Sequence, residues 1–362
     1  YPGIDYEGGF SMSGATINGV SDSRTSAILK FFKNDTVRLN VSANSFQFKK
    51  DRISNSNATI AFFLDNDSIF HSNIAFTYNV TKKEVSLFKT DDHMTYSPYY
   101  NSYHKIDMNF DLLIWNIDDP IVRLTMPRGA TIGQARFKSS NYFNRTHFLK
   151  IQGMDNLHPL YALKKFSEWY YSDEFHVSEL ANWLKMPDSK VQHLIVRLST
   201  EGFVFYDPET NIVRIKPQLN DYLDAFGGKI DYDVIDFISN TKAPQNNAIL
   251  NLSNNELTIF GIPSIFISDS QNVEIHPTGN KIVLKKNRNF DFGGRVQAGL
   301  LTFFGNNFTF SYDSFRIHLD NIDSLNLAII GDEEDIYGNR KTKKIRNNIQ
   351  NITGDLLIDD PE

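Results

Sequence analysis

The sequence predicts a mainly β protein, built as a sandwich or as stacked, solenoid-like antiparallel sheets, with a compact α+β segment inserted near its middle. Three observations predict it. Short runs alternate apolar and polar residues at period two over most of the chain, turn residues (Asn, Asp, Ser, Gly) separate those runs, and one central stretch switches to helical periodicity. The aromatic content, 29 Phe and 16 Tyr against 3 Trp, agrees with this, because such rings fit a pleated, half-buried surface.

The 362 residues are enough for two or three cores. Three regions are expected: an N-terminal β domain over 1–155, an insertion over 156–226, and a C-terminal β region over 227–362. The last is either continuous with the first or separate from it, and it reads as truncated at its end. In the N-terminal region, Ala27-Ile28-Leu29-Lys30-Phe31-Phe32, Thr36-Val37-Arg38-Leu39-Asn40-Val41 and Ile74-Ala75-Phe76-Thr77-Tyr78 are strands. Phe31 to Val37 resembles Phe62 to Ile69, an aromatic strand running through an Asn/Asp-Ser/Thr turn into the next. Phe110 to Asp118 likewise echoes Phe315 to Asp323 across the two β regions. Recurrent hairpin chemistry and a true internal repeat both account for these echoes.

In the insertion, His158 to Ser172 reads as a helix with Leu160, Leu163, Phe166 and Tyr170 on one side. Ser178 is the expected N-cap of a second helix, Glu179 to Leu184, broken by Met186-Pro187-Asp188. Ser189 with Gln192 has the spacing of a capping box, and Val191, Leu194, Ile195 and Leu198 form the buried stripe of a third helix. Gly202 suits a helix C-terminus. Phe203 to Tyr206, a turn at Asp207 to Asn211, and Ile212 to Ile215 complete a hairpin, and Gln218 to Phe226 is a linking helix.

That order of elements resembles the winged-helix family over about a sixth of the chain, through Val177 to Leu184, Ser189 to Gly202 and the Phe203–Ile215 hairpin. The resemblance implies that the third helix is a recognition helix and the hairpin a wing. Charge argues against the DNA-binding use of such a module. From His158 to Pro217, seven Lys and Arg face eight Asp and Glu, and the hairpin tip Asp207-Pro208-Glu209 is acidic. Duplex binding rests on several cation–phosphate contacts, so a protein-interaction or spacer role is preferred. The formal net charge of the whole chain, −6, also disfavours general affinity for nucleic acid or anionic membranes.

After Phe226-Gly227-Gly228-Lys229 the strands resume, among them Ala248 to Leu252, Glu256 to Phe260, Ser264 to Ile267, Lys281 to Leu284 and Phe308 to Tyr312. The glycines of Phe292 to Leu300 suggest a bulge; they lack the Lys and Ser/Thr of a phosphate loop. Asp332 to Asp335 beside Arg340 to Arg346 reads as a solvated loop of opposed charge blocks.

Nothing singles out chemistry. The nine histidines show no metal spacing, Asp91-Asp92-His93 reads as a solvated loop, and Asp65-Asn66-Asp67 as a hairpin turn. Gly9 to Ser13 lacks the last glycine of a nucleophile elbow, and Glu168-Trp169-Tyr170-Tyr171, although like a sugar platform in composition, is expected to pack its helix. No catalytic, cofactor-binding or metal residue is expected. The candidate interaction residues are the exposed cations and histidine of the third helix, Lys190, His193 and Arg197, and the basic run Arg340, Lys341, Lys343 and Lys344.

With no cysteine, no run of apolar residues long enough to span a membrane, and a chain that starts at Tyr1, the sequence reads as a processed or partial piece of an exported protein. Asp35-Thr36-Val37, Asp67-Ser68-Ile69 and Asp323-Ser324-Leu325 resemble the acceptor motif for O-glycosylation in Bacteroidetes envelope proteins. The leading expectation is therefore a non-catalytic extracytoplasmic scaffold with a protein partner. A lipid- or glycan-binding β protein, analogous to the β-taco proteins that move lipopolysaccharide, and a DNA-binding regulator are the alternatives.

Overall fold

Alternation at period two sends every second side chain of a strand to the same side, so two sheets facing each other can bury one set from each. The computed structural model realises this, and describes residues 3–14, 16–21, 26–90, 97–140, 143, 145–152, 157–229, 235–268, 271–334, 340–344 and 349–358. All pairings among the described strands are antiparallel.

One sheet, here the back sheet, runs without a break. Its order is Gly9–Ser13, Thr16–Val20, Ser45–Phe48, the first part of Arg52–Leu64, the last part of Asp67–Asn79, Glu84–Phe88, Leu112–Asn116 and Ile121–Thr125. It continues through Ala248–Asn251, Glu256–Phe260, Lys281–Leu284, the first part of Phe290–Ala298, the last part of Leu301–Ser311, Arg316–Ile322 and Ile352–Leu357. The pairing of Ile121–Thr125 with Ala248–Asn251 therefore joins the N- and C-terminal β regions in one sheet.

The front sheet holds Ile4–Glu7, Ala27–Lys33, Thr36–Ala43, the remaining halves of the two long strands, Tyr99–Asn101, Ile106–Asn109, Ile132–Ser139 and Asp236–Lys242. Beyond it, Ile265–Ser268, Val273–Pro277 and the other ends of Phe290–Ala298 and Leu301–Ser311 continue the same side. The long strands cross between sheets where their register breaks, at Asn55/Ala58 in one pair and at Phe292/Gly294 in another. A bulge bends a strand in this way. The bulge expected from the glycines between Phe292 and Leu300 is thus present: Gly294 has φ +141°, and a Cβ there would sit 2.2 Å from the His276 carbonyl oxygen.

Packed rings fill the space between the sheets. Phe62 of the front sheet meets Trp115 of the back sheet edge-on at 5.0 Å, Phe31 meets Phe76 at 5.9 Å, and Phe237 meets Phe290 at 5.4 Å. Trp115 donates its indole N–H to the Asp119 carbonyl at 3.1 Å. Surface for a ligand therefore lies on the outer faces rather than between the sheets.

A second hydrophobic cluster runs from Phe143 to Leu223 and contains five helices: α1 (Arg145–Gln152), α2 (Pro159–Tyr170), α3 (Val177–Leu184), α4 (Asp188–Thr200) and α5 (Pro217–Phe226). A three-stranded sheet of Glu174–His176, Ile212–Ile215 and Val204–Asp207, in that order, completes it. Helix α1 and the strand at 174–176 were not expected from sequence. Both are short, and α1 buries only Phe148 and Ile151.

The helix caps also differ from expectation. His176, not Ser178, caps α3: its Nδ1 accepts the Ser178 N–H at 3.2 Å while Glu179 accepts the His176 N–H at 2.9 Å. Pro187 precedes α4 with no side-chain cap, so Ser189 and Gln192 form no capping box. Gln192 instead donates to the Tyr206 hydroxyl at 2.8 Å. Gly202 has the expected positive φ after α4, +86°. The described parts of the charge blocks near the C-terminus are strand rather than loop: Ser324–Glu334 pairs with Arg340–Lys344, while Asp335, Ile345 and Arg346 lie outside the described residues.

The core can be probed in two ways. Trp115→Ala removes the largest buried side chain between the sheets and is expected to lower unfolding free energy by about 3–5 kcal/mol, read by denaturant titration. His104 is buried, accepts from the Asn101 amide at 2.9 Å, and has its imidazole lowered by burial to about 3. The unfolded chain protonates this histidine near 6.5 and the native chain only near 3, so stability falls as pH drops across that window. Unfolding titrations should show this slope, and His104→Gln should flatten it.

Candidate interaction surfaces

The helical module sits on the outer face of the front sheet. One row of that sheet reads Ala61, Phe70, Tyr100, Asp107, Lys138, Asp236 on adjacent strands. Phe205 of the module lies 4.4 Å from the Phe70 ring and 6.3 Å from Tyr100. Lys216, at the start of α5, reaches between them and pairs with Asp107 at 2.8 Å, with side-chain exposures of 1% and 10%. Its ammonium is 4.8 Å from the Tyr100 ring centre and 5.3 Å from that of Phe205.

Gln218, in the amide orientation its neighbours require, donates to the Gly202 carbonyl at 2.8 Å and to the second Asp107 oxygen at 3.0 Å. A Cβ on Gly202 would come within 3.1 Å of that same oxygen. Burial pushes the Asp107 carboxyl above its usual range, and Lys216 opposes the shift. Such a pair costs desolvation on both sides, so each charge depends on the other.

The hairpin tip lies beside the scaffold. Burial and Asp207 raise the Glu209 carboxyl, and the nearby backbone N–H of Asn44 opposes the shift. Glu209 itself is exposed, and Asp207 and Pro208 are half-buried.

The predicted interaction residues separate into two groups. Lys190, His193 and Arg197 share the exposed side of α4. Arg197 is tied down, donating to the Ile151 carbonyl of α1 at 2.8 Å. Arg340, Lys341, Lys343 and Lys344 lie on the strand paired with Ser324–Glu334, Lys344 opposite Ala328 and Arg340 opposite Glu334. Asp91, Asp92 and His93 fall outside the described residues.

Two residues discounted as packing are exposed. Trp169 is 62% exposed and Tyr171 94%, while Tyr170 stacks on Phe166 and donates to Glu179 at 2.6 Å. The reason is local: Phe166 already fills the pocket beneath α2, between Phe175 and Trp183. Tyr171 takes the left-handed cap conformation that turns the chain outward.

The back sheet's outer face carries a single unbroken row across all fifteen strands. It runs Ser11, Asn18, Gln47, Ser54, Thr77, Ser86, Ile114, Arg123 and then Ile249, Thr258, Val283, Asp291, Thr309, His318, Asp355. At a strand spacing of about 4.8 Å the row extends for about 70 Å. Near one end, Thr309 donates to Asp291 at 3.0 Å and His318 Nδ1 bonds Asp355 at 2.8 Å, so each is held by its own carboxylate. Among the described residues no group of three or more His, Asp or Glu is placed to hold a metal. No described helix is long and apolar enough to cross a membrane.

No protein-family model and no curated protein matches this chain. Among solved structures it is similar to LptH, the LptA-homologous periplasmic component of the conserved lipopolysaccharide transport device from Pseudomonas aeruginosa. That similarity covers 35% of this chain and 85% of LptH, at 11% identity and a TM-score of 0.25. So low a score leaves function to this chain's own geometry.

Replacing Lys216 with Met strands a buried carboxylate and is expected to cost about 3–5 kcal/mol at neutral pH, with the module loosened from the sheet. Acidification should return part of the loss by neutralising Asp107. The pair Lys216→Met with Asp107→Leu should be milder than either change alone. Unfolding midpoints and limited proteolysis between 140 and 157 read all three.

Proposed function

We propose that this chain is an extracytoplasmic β scaffold that holds a winged-helix-like module in a set orientation for a protein partner, and that it performs no catalysis itself. The observation that carries the reading is the buried clamp of Lys216, Asp107 and Gln218. A module locked to the sheet in this way keeps Trp169 and Tyr171 at a set place on the surface, and aromatic residues of this kind are enriched at protein interfaces. The helix–strand–helix–helix–hairpin order supports the winged-helix likeness. The acidic hairpin tip, and Arg197 held by the Ile151 carbonyl, favour a protein over a duplex, since phosphate contacts call for available cations there. The absence of cysteine fits an exported location.

Cell fractionation with an antibody to this chain tests the location: envelope fractions are expected, and a cytoplasmic pool shifted by duplex DNA at low salt would overturn the reading. A photo-crosslinking amino acid at Tyr171 should capture a discrete polypeptide in those fractions. Trp169→Ala should weaken that capture at least tenfold with the unfolding midpoint unchanged.

A further inference from the structure

Two depressions on the back sheet's outer face, with volumes of about 410 and 560 Å³, share Arg52, Thr77 and Phe88 and so form one trough. Its floor is six consecutive positions of the fifteen-strand row: Asn18, Gln47, Ser54, Thr77, Ser86 and Ile114. Sheet geometry repeats those amides and hydroxyls about every 4.8 Å. Phe88 lies midway, half-buried, and adds an aromatic side chain to the lining.

The walls add charge. Arg52, Lys82, Lys89 and Arg128 line the trough against two carboxylates, Glu84 and Asp111, so it is locally positive in a chain whose formal net charge is −6. Arg128 reaches Glu84 only at 3.7 Å and is largely exposed. Lys89 bonds Asn109 and is lowered by burial to about 8, which an approaching anion would reverse. The apolar groups Leu112, Ile114 and Phe88 are recessed and do not protrude, as insertion into a lipid surface would require.

We infer that this trough binds an acidic polysaccharide, an extended chain of hydroxylated rings carrying carboxylates, laid along the row with its anionic groups toward the basic walls. Repeated hydroxyl and amide partners match repeated sugars, the Phe88 side chain adds an aromatic contact, and the excess cations select the acidic chain. The inference is independent of the helical module and its partner.

The test is titration of the intact chain with oligogalacturonates of increasing length. Binding is expected to tighten with length, to weaken with salt, and to fall at least tenfold in Arg52→Gln with Arg128→Gln, two surface changes that leave the unfolding midpoint in place. Bound oligogalacturonate should also protect Lys89 from acylation near pH 8. Absence of binding overturns the inference. So does equal binding of a neutral cello-oligosaccharide, which would show that the charges play no part, or binding of phosphatidylglycerol vesicles in place of the oligosaccharide, which would make the ligand a lipid surface.

Discussion

Backbone pairing at a constant register is the constraint on which the rest depends. Fifteen strands of the back sheet are aligned so that Ser11 and Asp355 stand in one row, although 344 positions separate them. Because side chains alternate with period two, a slip of one residue at any pairing would turn every later strand inside out. Trp115 and Ile114 show the consequence: neighbours in sequence, one is packed against Phe62 and the other lines the surface trough. Core and surface are therefore decided together.

The two sheets share their long strands, so they cannot be assembled independently. Register breaks at Asn55/Ala58 and Phe292/Gly294 are the places where a strand leaves one sheet for the other. Each break sacrifices local ladder bonds and in return closes the aromatic core from both sides. The same arrangement leaves two outer faces with different uses. The front face has bulky groups, Phe70 and Tyr100, where the helical module lands. The back face has small polar groups, which leave room for a ligand.

The module depends on the scaffold for more than tethering. Lys216 and Asp107, 109 residues apart, would each be costly to bury alone, and only docking brings them together. A module held by a desolvated ion pair between two aromatic rings has one preferred seat. That seat takes up Phe205 of the hairpin and leaves the end of α2 and one side of α4 outward.

Local patterns carried much of this into the sequence. Alternation and turn residues identified the strands, the stripe Val191, Leu194, Ile195, Leu198 identified α4, and the glycines near 293 identified a bulge. These depend on neighbours within a few residues, where periodicity and turn chemistry act. The caps were misread because Ser178 and Ser189 compete with alternatives, His176 and Pro187, that only the geometry of the preceding chain selects. The exposure of Trp169 was hidden because helical spacing does not say that Phe166 alone fills the pocket. The row from Ser11 to Asp355, the trough and the Lys216–Asp107 clamp were beyond reach of the sequence. They arise from pairings such as Arg123 with Ile249, where the choice among many antiparallel partners is made by packing the common core. The sequence by itself determined that strands and a helical insertion would form; tertiary structure decided which strands meet, because long-range register is a property of the whole sheet and not of any segment.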